Sequence, residues 1–230
     1  MQAIEDKFFD LAIVDPPYGI ATDNLRMGGS RKRGQPTTVK AKNRLNSGGG
    51  KLKNSLLTNS DTSWDVAPDK AYFDELFRVS KNQIIRGGNY FDLPPTRCIV
   101  CWDKMQAFEN FSQVEIAWTS FDHPAKLFRY PNSGTCPDKS KRIHATQKPI
   151  ALYHFLLKRF AKPGDRIFDS HLGSGSSRIA AYKMGFDFYA TEINEMFFVD
   201  QEKRFNEVCK NTIQFPNGTT ITHKDLFDEN

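Results

Sequence analysis

Three features of this 230-residue sequence predict an α/β fold, a mostly parallel sheet with helices on both faces. A short apolar run, Phe8 to Val14, stops at Asp15-Pro16-Pro17-Tyr18. Further along, a strand from Arg166 to Asp169 is followed by a glycine loop, a helix and another strand, the succession of a parallel β-α-β unit. Between these, stretches with helical spacing of apolar residues alternate with further short apolar runs.

Phe8-Phe9-Asp10-Leu11-Ala12-Ile13-Val14 reads as a buried strand, ended by two prolines that stop any ladder or helix. Residues 22–60 are rich in Gly, Ser, Asn and Lys, with little apolar periodicity, and read as a long basic loop. Pro68 is expected to open a helix whose buried stripe is Tyr72, Phe73, Leu76, Phe77 and Val79. Strands are predicted at Gln83 to Arg86, Cys98 to Trp102 and Val114 to Trp118. Periodicity lapses over 121–142, a second expected loop region. Order returns at Thr146-Gln147-Lys148-Pro149, a helix start followed by Ile150, Tyr153, Leu156, Leu157 and Phe160 at helical spacing. After the Arg166 to Asp169 strand and the Ser170 to Ser176 loop, a helix from Ser177 to Met184 can be capped by Gly185, and a strand runs from Phe186 to Thr191.

Composition suits one globular domain over residues 1–230: 39% of residues are hydrophobic and 26% charged, enough to bury a core. No run of 18 apolar residues and no signal-like N-terminus is present, so the expectation is a cytoplasmic protein without a membrane partner. Cys98-x-x-Cys101 matches the spacing of a zinc or redox pair, but inside a strand residues three apart face opposite ways. Core thiols are the favoured reading, with no metal expected.

Of the formal net charge of +5, residues 22–60 carry +8 and the remainder −3. Within this segment Arg31, Lys32, Arg33, Lys40, Lys42 and Arg44 are candidates for contact with a polyanion, since neutralising each phosphate releases counterions. A solvated linker explains the same composition. The second loop region adds Lys126, Arg129, Lys141 and Arg142.

In Asp169-Ser170-His171-Leu172-Gly173-Ser174-Gly175-Ser176, glycines remove the Cβ atoms that would keep a ligand from backbone N–H groups at a helix N-terminus. Glu192, seventeen residues beyond Gly175, ends the next strand, where a carboxylate accepts hydrogen bonds from ribose hydroxyls. A dinucleotide-binding protein shares these features. Asp15-Pro16-Pro17-Tyr18 discriminates: a carboxylate at a strand end, rigid carbonyls and an aromatic ring suit an amino group on a flat base. Asp15 and a proline carbonyl would accept its two hydrogens while Tyr18 stacks on the ring. The bland alternative is a proline turn with a solvated Asp.

On these residues the sequence resembles the amino-group DNA methyltransferases, of which Asp-Pro-Pro-Tyr is a hallmark. With the tetrapeptide first and the glycine loop last, the motif order is similar to that of the circularly permuted β group. The resemblance implies a Rossmann-like methyltransferase fold and S-adenosylmethionine as cofactor. It further implies a double-stranded DNA substrate, and base flipping to present the target. Asp15, Pro16, Pro17 and Tyr18 would form the catalytic motif. His144-Ala145-Thr146-Gln147-Lys148-Pro149 matches the motif before the cofactor strand, implying Thr146 and Lys148 near the methionine end. Asp169 with Gly173, Ser174, Gly175 and Ser176 would hold the amino-acid moiety, and Glu192 the ribose. Where the family has Pro-Phe after the first Asp, this chain has Ser170-His171, leaving His171 as a stacking substitute or a surface histidine. The strand that usually precedes the tetrapeptide is absent, and Thr219 to His223 is its expected counterpart. Asp225 would then face the adenine, with the chain cut between adjacent strands and its ends close together.

The resemblance also implies adenine N6 as the target, since in that family Asp rather than Ser at the position of Asp15 goes with adenine. Cytosine N4, RNA or a protein amide are enzymatic alternatives, and a catalytically silent DNA-binding module is the alternative of another class. The small recognition region, at about 121–142, makes a homodimer plausible, and the family is found in restriction-modification systems.

Overall fold

The computed structural model describes residues 1–20, 65–106, 112–132, 143–144, 146–210, 212–214 and 220–222, the last few from 210 onward by backbone alone. The first strand, β1, is Phe9–Val14. Helix α1 (Lys70–Val79) runs directly into β2 (Ser80–Arg86), and β3 (Ile99–Asp103), β4 (Val114–Thr119) and β5 (Lys126–Arg129) follow. Then come α2 (Ile150–Phe160), β6 (Arg166–Asp169), α3 (Ser176–Lys183), β7 (Asp187–Ala190) and α4 (Glu195–Phe205), which continues into a wider turn at Asn206–Lys210. β8 (Thr212–Gln214) and β9 (Thr220–Thr222) close the described chain.

Seven strands form one sheet in the order β5-β3-β4-β2-β1-β6-β7. All neighbours are parallel except β4, which is antiparallel to both β2 and β3. The mostly parallel α/β expectation is met. Because β1 is covered on both faces, it reads as a nearly continuous apolar run rather than an alternating one, whereas β2 is apolar only at Ile84 and Ile85. Alternation survives as a division between two cores. Ile13, Ile84, Ala117 and Ile167 pack with Leu152, Leu156, Leu157, Ala180 and Ala181 of α2 and α3. Val14, Ile85, Trp118 and Phe168 pack with Phe73, Leu76 and Val79 of α1 on the other face. Helices therefore seal both sides, as the period-2 geometry of a strand requires.

Several boundaries differ from the sequence expectation for local reasons. α1 begins at Lys70, not Pro68, because the Asp69 carboxylate accepts the Tyr72 N–H at 3.0 Å and takes the capping position. The expected loop over 121–142 contains β5, a short half-exposed strand at the sheet edge whose residues Lys126 and Arg129 stand in the ladder with β3. α4 was not foreseen at all. Cys98 is buried and Cys101 half-buried, both as free thiols. Cys98, just before β3, is a core thiol, whereas Cys101 within β3 belongs to neither sheet-face core.

The C-terminal strand also departs from expectation. β9 forms at Thr220–Thr222 but pairs with β8 in a separate two-stranded antiparallel sheet. Both edges of β1 are already taken, by β2 and β6, so no ladder position beside it is open to a C-terminal strand. Asp225 lies outside the described residues, as do 21–64 and 133–142. No helix among the described residues is long and apolar enough to cross a membrane.

Leu156 is fully buried where α2 meets the sheet. Leu156→Ala is expected to cost about 2–5 kcal/mol, read as a lowered urea midpoint with an unchanged slope.

Candidate active site

The carboxyl ends of β2, β1 and β6 lie side by side, the position where open α/β sheets bind ligands. A cavity of about 340 Å³ opens there. Its walls bring together the two sequence motifs that lie more than 150 residues apart: Asp15, Pro16, Pro17 and Tyr18 on one side, His171, Gly173, Ser174 and Glu192 on the other, with Thr146 and Lys148 between them.

Asp15 does not stand free. Its Oδ1 accepts the Tyr18 hydroxyl at 2.7 Å, and its Oδ2 lies 2.7 Å from Lys148 Nζ and 3.7 Å from Arg86 Nε. Arg86, only 2% exposed, reaches on to Glu115 at 2.5 Å, and Lys104 meets the same carboxylate at 2.6 Å. Three cations and two carboxylates thus form one cluster, with Arg86 and Lys104 also lying over the Trp102 ring. Burial alone would raise the Asp15 pKa, but Lys148 and Arg86 outweigh it and hold the carboxyl below its usual range. Glu115 is likewise driven well down against the burial effect, by Lys148, Arg86 and Lys104. Tyr18 moves the other way, since burial and the adjacent Asp15 charge keep its phenol protonated and donating.

Tyr18 stacks on Tyr90, with ring centres 4.8 Å apart, and meets Phe91 edge-on. Gly87 makes this possible: it has φ of 63°, and a Cβ there would sit 2.3 Å from the Tyr18 ring. Lys148 lines the cavity with its ammonium against Asp15.

On the opposite wall, Asp169 is buried behind the cavity rather than lining it. Its oxygens accept the His171 N–H at 3.0 Å and the Ser177 hydroxyl at 2.6 Å. Burial pushes its pKa up to about 7. Glu192 accepts the Gly173 N–H at 2.8 Å and the Asn194 N–H at 2.9 Å, retaining further lone pairs. Gly175 and Ser176 also lie behind the wall. Ser176 Oγ donates to the Lys148 carbonyl and accepts from Arg204, which also holds the Ser174 carbonyl. The expectation that loop N–H groups would be open to a ligand is met only in part. Those of His171, Leu172, Gly173 and Gly175 are engaged by Asp169, Thr191, Glu192 and Leu172 respectively.

Thr146 is exposed at the rim, where its N–H and hydroxyl meet His144 Nδ1 at 3.2 and 3.0 Å. Burial, reinforced by Lys148, lowers the His144 pKa to about 4, so the ring is neutral near pH 7. His171 lines the cavity rather than lying on the outer surface, and it packs edge-on against Tyr72. Sequence reasoning missed Arg86, Glu115 and Lys104, which belong to no motif. It also missed Tyr153, Ile193, Asn194 and Phe197 on the cavity wall. Ile193, 99% exposed beside Glu192, is an apolar side chain that packing does not explain.

Of the basic candidates, Arg31, Lys32, Arg33, Lys40, Lys42, Arg44, Lys141 and Arg142 lie outside the described residues. Lys126 and Arg129 belong to β5, four strands across the sheet from β1, where Arg129 pairs with Asp103 at 3.2 Å.

Comparison with known proteins agrees with the resemblance read from the motifs. Residues 104–203 match the model of a family described as DNA methylase. The type II methyltransferase M.HinfI of Haemophilus influenzae is 28% identical over 74 residues, which make up 32% of this chain and 21% of that protein. The match thus spans about a fifth of the relative's length. Among solved structures, an M1.HpyAVI–SAM complex aligns over 89% of this chain and 91% of its own, with 17% identity and a TM-score of 0.48. PvuII DNA methyltransferase, described as cytosine-N4-specific, aligns over 90% of this chain and 86% of its own, with 11% identity and a TM-score of 0.48.

Glu115→Gln strips the cluster of one anion and leaves buried cations short of charge. A loss of about 3–5 kcal/mol in unfolding free energy is expected. Asp169 gives a pH signature. Its folded pKa, about 7, lies above the ordinary 3.8, so its proton stabilises the fold at low pH, and that contribution fades as pH rises to 7. Wild-type stability should therefore fall relative to Asp169→Asn between about pH 4 and 7 and run parallel above it, as urea midpoints against pH will show.

Proposed function

We propose that this chain transfers a methyl group from S-adenosylmethionine to an exocyclic amino group in double-stranded DNA, with adenine N6 the favoured target. The observation that carries this reading is an ionised Asp15 facing, across one cavity, a glycine loop and Glu192. The cavity's size falls within the range of small-molecule sites. Gly173 leaves its wall open, since a Cβ there would meet nothing closer than 3.9 Å. Glu192 offers its remaining lone pairs to ribose hydroxyls, and Ile193 with Phe197 offers apolar surface to a purine.

When bound, the cofactor supplies a methyl group on a sulfonium. The amino nitrogen of the base is a poor nucleophile because its lone pair is delocalised into the ring. Hydrogen bonds from its two N–H groups to Asp15 and the Pro16 carbonyl favour a tetrahedral nitrogen and oppose the positive charge that develops on it. Transfer would form an N–C bond at the expense of the cofactor's S–C bond, whose electron pair would stay on sulfur. A carboxylate with a lowered pKa is a weak base, so Asp15 orients and stabilises rather than retaining the proton, which passes to solvent. Lys148 and Arg86 keep the group an obligate acceptor. The +8 of residues 22–60 supports a polyanionic partner.

Asp15 rather than Ser, and the greater stacking area of a purine, favour adenine over cytosine. Incubation with tritiated S-adenosylmethionine and duplex DNA, followed by nucleoside analysis, should yield N6-methyladenine. N4-methylcytosine as sole product reverses the base assignment. Asp15→Ala should lower transfer by about a hundredfold or more while leaving cofactor binding nearly intact, measured by calorimetry.

A further inference from the structure

We infer that His171 presents a fixed N–H donor to the cavity, and that its acceptor is the carboxylate at the amino-acid end of the cofactor. The inference rests on the methyl-transfer reading above. It begins with a relay of three side chains. The Tyr72 hydroxyl of α1 lies 2.7 Å from Ser170 Oγ, which lies 2.9 Å from His171 Nδ1.

The direction of these bonds follows from proton counting. Tyr72 is half-buried, with its phenol held protonated by the desolvation, and Ser170 is its hydrogen-bond partner, so its hydrogen is assigned to Ser170 Oγ. Ser170 has one hydroxyl proton, and the remaining partner is His171 Nδ1. Nδ1 therefore accepts. In a neutral imidazole the proton must then sit on Nε2. Burial keeps the ring neutral, lowering its pKa to about 4. Edge-on packing against Tyr72, with centres 5.4 Å apart, fixes the ring plane. No described residue accepts from Nε2, and the ring lines the cavity.

The choice of acceptor follows from the loop's own hydrogen bonds. An anionic group beside a helix N-terminus is usually held by backbone N–H donors. Here the N–H groups of residues 171, 172, 173 and 175 are already used within the protein. Of residues 171–175 that leaves the Ser174 N–H as backbone donor, one hydrogen bond for a group with two oxygens, and His171 is the side-chain donor the relay orients toward the same wall. A phenyl ring, the family's usual residue at this position, supplies none.

The test compares S-adenosylhomocysteine with 5′-methylthioadenosine, which keeps the nucleoside and thioether but lacks the amino-acid end. His171→Phe in the full chain should lose about tenfold in affinity for the first by calorimetry and nothing for the second. His171→Gln, which restores an N–H, should recover part of the loss. Nitrogen-15 NMR should show the Nε2–H tautomer in the wild type, and Tyr72→Phe should reduce its population. Equal losses on both ligands, no loss on either, or an Nδ1–H tautomer would overturn the proposal. A wild-type protein that binds neither ligand sinks the methyl-transfer reading itself.

Discussion

The site depends on a single buried ion cluster, in which Asp15 and Glu115 share Arg86, Lys104 and Lys148. Its members come from the end of β1, the end of β2, the residue after β3, the start of β4 and the turn before α2. Removing charges from water costs several kcal/mol per ion, and the cost is offset only if every member finds partners in good geometry. Such a cluster is a poor general source of stability and a strict positional constraint. It ties four strand ends and one turn to a common point.

The reversal of β4 is what makes this arrangement available. In a parallel strand the second residue lies at the far end of the sheet from the ligand. Because β4 runs antiparallel, its second residue, Glu115, comes to the same end as Arg86, with Trp102 opposite it on β3. Parallel strands deliver Asp15 and Arg86 there at their carboxyl ends, and the antiparallel strand delivers the counter-charge by its second residue. The cluster in turn sets the protonation of its neighbours: Asp15 ionised, Tyr18 neutral and donating. Opposite charge beside the carboxylate, and burial with like charge beside the phenol, produce these two outcomes within 2.7 Å of each other.

Much of this was legible from residue types. Strands buried on both faces announce themselves as apolar runs, and β6 was read to the residue. The tetrapeptide and the glycine loop carry their chemistry in local spacing, and both line the cavity. What escaped has physical reasons. Arg86 and Glu115 sit in strands otherwise read by their apolar neighbours, and only register between strands remote in sequence shows that they meet. α4 escaped because its pattern is inverted. Gln201 and Arg204 are buried, while Met196, Phe198 and Val199 are exposed, so a search for an apolar stripe finds none. β5 escaped as a four-residue edge strand with charges at both ends.

That inverted helix governs the glycine loop from behind. Arg204 holds the Ser174 carbonyl and the Ser176 hydroxyl, while Gln201 lies 3.1 Å from where a Cβ of Gly175 would be. The loop that faces the ligand is thus shaped by residues some thirty positions downstream that do not line the cavity. A fragment ending at Glu192, just past β7, would contain every residue of the glycine motif and that carboxylate, yet lack the template that gives the motif its shape. The smallest piece able to bind is defined by the far end of α4, not by the motifs.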